Sequence, residues 1–237
     1  PHARKNWQAR ANASTLIYSF RLRRNIDVAR SKSKQQQEPK MRLIDAAMTL
    51  AGRLRWRNIN MADIAVEAGM PIADALAQCS SKIAILDALG RHINRAVLTD
   101  LQTGSEIGDS PKDRLFELMM RRFDAMANYR SGLASINADL EFDPFAALNR
   151  LCRIQNAMAL TLEAAGISSA GPCGIVRQQG LGAIYIYCLS VWFSDETDDM
   201  SATMAAVDRA LTFADNLVVR RHDRGSSETG ADASKVR

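Results

Sequence analysis

Proline is scarce in this chain, at 6 of 237 residues, as are histidine, at 3, and aromatic residues, at 6%. Few prolines leave long helices uninterrupted, because proline lacks the amide proton and clashes with the preceding turn. The histidines, His2, His92 and His222, stand far apart, and no metal-ligand spacing is present. There is no G-x-x-x-x-G-K phosphate loop and no G-x-S-x-G nucleophile elbow. No catalytic residue, metal or cofactor is therefore expected, and the chain does not read as an enzyme. The cysteines (Cys79, Cys152, Cys173, Cys188) form no C-x-x-C pair and read as reduced thiols of a cytoplasmic protein. Cys152 and Cys188 read as small buried hydrophobes. No apolar run approaches the ~20 residues that cross a bilayer, and no secretory signal is visible, so stable membrane insertion is not expected.

Basic charge is also missing where a nucleic-acid-binding body would carry it. Residues 1–40 hold 10 Lys/Arg against 2 Asp/Glu, whereas residues 41–237 hold 21 against 24. The net charge of +5 thus comes from the leader. The chain opens on Pro rather than Met, and Met41 opens the following domain, so residues 1–40 read first as a largely disordered leader without function. Two other roles compete: a basic arm (Arg30, Lys32, Lys34, Lys40) following a phosphate backbone, or a targeting peptide.

What is abundant is helical periodicity. Leu43, Ala46, Ala47, Leu50 and Leu54 recur at steps of three and four, one apolar helical face. Asn60 is an N-cap with Asp63 in the first turn, and Ile64, Ala65 and Ala68 face a core. Gly69 suits the left-handed turn that ends a helix, and Pro71 suits the start of the next. Ser81 caps a longer helix through Ile83, Leu86, Leu89 and Ile93. Two short helices around a glycine turn make a helix-turn-helix.

Further along, Asp109 or Ser110 caps a helix with Pro111 in its first turn and a stripe of Leu115, Leu118, Met119, Phe123 and Met126. Arg121 and Arg122 fall off that stripe and are expected in solvent. Tyr129-Arg-Ser-Gly132 reads as a break, followed by a short helix near 133–140. The next helix carries Phe145, Leu148, Leu151, Cys152, Ile154, Met158, Leu162 and Ala165. GISSAGPCG reads as a loop. Residues 181–193 are apolar on every side except Ser190, which demands burial all round. Met204, Val207, Leu211, Ala214 and Val218 follow steps of 3, 4, 3 and 4 and predict a dimer seam, though the same pattern also suits packing within one chain. The carboxylates Asp195, Glu196, Asp198 and Asp199 precede that helix and read as caps rather than a cation site.

RLIDAAMTLAG, ADIAVEAGM and SSKIAILDAL, spanning Arg42 to Ile93, resemble the N-terminal domain of the TetR family of one-component bacterial repressors. The resemblance rests on Ile64, Ala65, Ala68 and Gly69 and on the Ser81-Lys82 pair. It implies an all-α, homodimeric protein, with a three-helix helix-turn-helix domain at 41–93, a larger helical ligand-binding and dimerisation domain at 94–219, and a disordered tail at 220–237. The helix that would meet DNA, Pro71 to Cys79, departs from the family: it has no Lys, no Arg and no aromatic residue, and its one charge is Asp74. Pro71 replaces the usual hydroxyl cap. Gln78 remains to read a base edge, with Ser81, Lys82 and Lys40 as phosphate contacts. The soft and aromatic residues Met119, Phe123, Met126, Phe145, Met158, Tyr185 and Trp192 suit either an ordinary core or a pocket for a small apolar ligand. Residues 191–211, through Trp192, Asp195, Asp199, Thr203, Asp208 and Arg209, are similar to a TetR-like accessory family of ubiquinone biosynthesis that binds lipid and isoprenoid. Two functions follow: a DNA-binding transcriptional regulator that responds to an apolar ligand, or a lipid-binding accessory protein that has lost operator binding.

Overall fold

The computed structural model describes residues 38–102, 108–139, 144–197 and 199–232. The expected leader, up to position 37, lies outside them. The described residues are built from helices, turns and short connections. A first helix, α1, covers residues 38–53 and buries Leu43, Ala46 and Ala47, whereas Leu54, placed on the same face by its spacing, lies just beyond the helix and is exposed. One 3₁₀ turn at Trp56–Asn58 leads to α2 (Met61–Glu67). Asn60 caps α2: its side chain accepts from the Ala62 and Asp63 amides, and Asp63 returns the favour at the Asn60 N–H. Gly69, at φ +63°, makes the turn into α3 (Ile72–Gln78), a conformation that costs an L side chain and not glycine.

Ser81 accepts from the Ala84 amide and caps α4 (Lys82–Gln102); the helices before it, α1 to α3, are called the head below, and those after it the body. Ser110 caps α5 (Pro111–Met126) by accepting from the Asp113 amide at 3.1 Å. The stretch expected as a break is instead a 3₁₀ turn, Ala127–Tyr129, that passes directly into α6 (Arg130–Asp139). Gly132 does not break that helix; it permits a close approach, described below. α7 (Pro144–Ala164) buries Ile154, Met158 and Leu162 but leaves Phe145, Leu148, Leu151 and Cys152 exposed, so only its second half is a core face. α8 (Gly171–Ser194) begins inside the expected loop, because Pro172 suits the first turn of a helix. α9 (Ser201–Asp232) runs through residues 220–232, which the sequence places in a tail. No Gly or Pro interrupts it before Gly225.

α8 packs on α7 and α9, and α5 lies against α4, α7 and α9. The centre is an aromatic row in which Phe123 stacks on Tyr185 and meets Trp192, each at 5.8 Å between ring centres. Arg130 lies over the other part of that row, 5.4 Å from the Trp192 ring. No described helix is long and apolar enough to cross a membrane.

Candidate functional site

The head presents α3 on its surface. Ala75 is buried beneath it, while Ile72 and Leu76 are 42% and 44% exposed. Gln78 is half-buried at the end of α3, and Lys40 is half-buried in α1. The exposed face of α3 therefore carries apolar groups and Asp74 rather than phosphate ligands. Ser81 spends its hydroxyl oxygen on the α4 cap. Lys82 is placed differently from its expected role. Its ammonium donates to the Trp56 and Ile59 carbonyls, each at 2.7 Å, and lies 4.7 Å from the centre of the Trp56 ring. Burial lowers its pKa, and Asp139 and Asp63 act against that shift. Lys82 thus ties the start of α4 to the loop before α2.

A set of polar contacts from α6 and the preceding turn grips the same loop and α1. The Asp139 carboxylate accepts from the Arg57 amide at 2.9 Å and pairs with Arg55 at 3.5 Å. Ser135 donates to the Leu54 carbonyl at 3.2 Å, and Tyr129 donates to Asp45 at 2.9 Å. Burial and the Asp45 carboxylate push the Tyr129 phenol up to about 12. A Cβ on Gly132 would meet the Met48 carbonyl oxygen at 2.6 Å, so glycine alone lets α6 lie this close to α1. Periodicity gave no sign of this junction, because its polar groups come from positions 45, 54, 57, 129, 135 and 139.

Next to the junction is a cavity of about 500 Å³. It is walled by α4, α5, α6, α7 and α8, and by Trp56 and Arg57 of the head. Of the seven residues expected in a pocket, Met126, Phe145 and Tyr185 line it. Met119, Phe123, Met158 and Trp192 are fully buried outside the lining, as ordinary core. The wall is mostly apolar, with Leu86, Leu89, Ile93, Ile154 and Leu189 prominent. Its polar part was missed by pattern reading: Arg122, Arg150, Arg153, Asn137 and Asn149. Arg122, expected in solvent, is 3% exposed. Arg121 is also largely covered, its guanidinium held by Glu117 one turn back at 2.9 Å. A bulky stripe on α5 is wider than the step-of-three-and-four rule suggests, and it takes both arginines inward.

No family model matches the chain, and no curated protein matches its sequence. Solved structures do match. A TetR transcriptional regulator from Nitrosomonas europaea ATCC 19718 superposes with a TM-score of 0.60 at 22% identity, over 74% of this chain and 97% of that one. A TetR transcriptional regulator from Rhodococcus sp. RHA1 gives a TM-score of 0.52 at 19% identity, over 76% and 96%. The fold is TetR-like.

The last two helices of this TetR-like body form a hairpin closed by Asp195. Its carboxylate is buried and accepts from the amides and hydroxyls of Thr197 and Thr203, at 2.5 to 3.1 Å. These bonds, first from the Thr197 hydroxyl and then from Thr203, hold its pKa far below the usual carboxylate range. Asp195 is thus a capping residue, and Asp199 accepts from the Ser201 amide at 3.1 Å; Asp198 lies outside the described residues. The expected seam of α9 faces inward: Val207 and Leu211 are 0% and 3% exposed within one chain, and Ala214 is half-buried. Met204 is 38% exposed, and Val218 lies outside the residues whose side chains are described. The outward apolar groups are instead Ile175, Val176, Ile186 and Tyr187 along one side of α8, with Phe213 of α9. α8 is therefore not buried on every side within one chain.

Proposed function

We propose that the chain is a homodimeric, DNA-binding transcriptional regulator whose operator affinity responds to a small, largely apolar ligand. The observation that carries this reading is that the cavity and the head share a wall. Trp56, Arg57, Lys82 and Asp139 line the cavity and are also the residues that fasten the head to the body. A ligand seated there acts on those contacts and biases the angle at which α2 and α3 are presented. A two-headed dimer then reads two half-sites, and a change in head spacing changes affinity. The self-association face is the outward apolar stripe of α8 with Phe213, whose burial a single chain leaves incomplete.

Contacts to DNA come from the end of α3, with Lys40, close enough to Cys79 to act on its thiol, as a phosphate contact and Gln78 as the base-reading side chain. The test is selection by the purified chain from a random-sequence duplex library at moderate salt. Enrichment of a two-fold repeated site supports the reading, and no enrichment removes it.

One observation favours a second reading. The exposed face of α3 offers no Lys, Arg or aromatic group, and the Lys82 ammonium is occupied by the Trp56 and Ile59 carbonyls. Such a head suits a TetR-fold accessory protein that binds lipid in the same cavity and no operator. Apolar molecules co-purifying with a chain that selects no duplex would support it.

A further inference from the structure

We propose that the cavity accepts an amphiphile with an anionic head, and that Arg122 and Arg150 hold that head while the apolar wall takes the chain. The inference deepens the ligand-responsive reading and rests on it for its biological consequence.

Arg122 is 3% exposed and lies in the cavity wall. Its Nε is buried without a hydrogen-bond partner, and its one bond, to the Thr161 hydroxyl, is long at 3.4 Å. Arg150 donates to the neutral amide oxygen of Asn137. Arg53, Arg55, Arg121 and Arg153 each pair with a carboxylate, whereas among the described residues neither Arg122 nor Arg150 has a carboxylate within 4.0 Å. Two arginines thus share one cavity without a counter-ion from the described chain. Burying an unpaired cation is strongly unfavourable, and arginine does not escape by losing its proton.

Tyr185 does not supply the missing negative charge. Burial raises its pKa, with Arg122 and Arg150 acting against the rise, so the phenol stays neutral. Its hydroxyl donates to the Met126 sulfur at 3.4 Å, a weak acceptor, which leaves the group available to an oxyanion. The one carboxylate among the lining residues, Asp139, pairs with Arg55 at 3.5 Å and accepts from the Arg57 amide. Arg122, Arg150 and Tyr185 thus present donors that no carboxylate of the described residues meets, which is the complement of a carboxylate or phosphate oxygen. Around it the lining is aliphatic, and a volume near 500 Å³ is within the range of ~300–1,000 Å³ typical of small-molecule sites.

The test is calorimetric titration of the full chain with decanoate, decyl phosphate and 1-decanol, each below its aggregation limit. At least one anion is expected to bind tenfold or more tightly than the alcohol, and which anion wins tells carboxylate from phosphate. Arg122→Met should remove that preference while decanol binding persists. Arg150→Met is the second variant, should the first fail to fold. Equal binding of all three probes by the wild-type chain, no binding of any, or a preference that survives both substitutions would overturn the proposal. Duplex selection by the same chain reads the regulator hypothesis separately: anion preference without DNA selection leaves this inference standing and removes that one.

Discussion

Lys82 shows at the level of one residue how a motif and a role part company. A Ser-Lys pair at a helix start suggests a phosphate contact, yet the Lys82 ammonium reaches back 23 and 26 positions to two carbonyls of its own chain. Lys82→Ala should therefore lower stability by about 1–3 kcal/mol, the usual cost of orphaned polar groups, and be visible as a reduced melting temperature. An unchanged melting temperature with weakened duplex binding would return Lys82 to the phosphate role. Asp195 makes a second residue-level case. Its folded pKa is lowered by the threonine bonds, so its contribution is present above the unfolded value of ~3.9 and is lost as pH falls toward the folded one. Asp195→Asn should be less stable than wild type in urea at pH 7, and the gap should narrow below about pH 4. A gap that stays constant down to pH 3 would contradict the assignment. The capping residues were legible in sequence because caps are local: Asn60, Ser81 and Ser110 each act within three residues. Arg122 was not, because its burial depends on how wide a face α5 presents to α7 and α8.

At the scale of elements, α6 is the part that pattern reading understated. It is short, and the glycine at its third position makes its first turn read as a break before a helix near 133–140. Its function depends on that glycine. In an open helix Gly→Ala gains ~1 kcal/mol, but at Gly132 the new methyl would sit 2.6 Å from the Met48 oxygen and 3.1 Å from its Cα. Backbone atoms cannot yield as a flexible side chain does. Gly132→Ala should cost about 1–3 kcal/mol in chemical unfolding and loosen the head, read as faster amide exchange in α1. A stabilised variant would refute the close approach. The seam expected on α9 is a different case. A repeat of apolar residues fixes which face is buried and says nothing about whose side chains cover it. Val207 and Leu211 are covered within one chain, so the proposed self-association face is placed on α8, where the exposed apolar groups lie. Ile186→Asp, at a position 40% exposed in the single chain, should leave the fold intact and yield monomers in sedimentation. A wild-type chain that sediments as a monomer would remove the interface altogether.

For the whole molecule, the all-helical, TetR-like fold and the order of its helices follow from periodicity, caps and the resemblance at 42–93. The position of the cavity does not, because its wall is assembled from the 3₁₀ turn and from α4 to α8, residues 56 to 193, and only the folded chain brings them together. That assembly sets the central claim: a ligand space that shares residues with the fastening of a DNA-reading head. Duplex selection at moderate salt, run in parallel on the wild-type chain and on Ile186→Asp, tests it most directly. The expected result is a two-fold repeated site for the wild type and a half-site, or much weaker enrichment, for the variant. No enrichment by either chain would contradict the regulator reading and leave a TetR-like fold whose cavity serves its ligand alone.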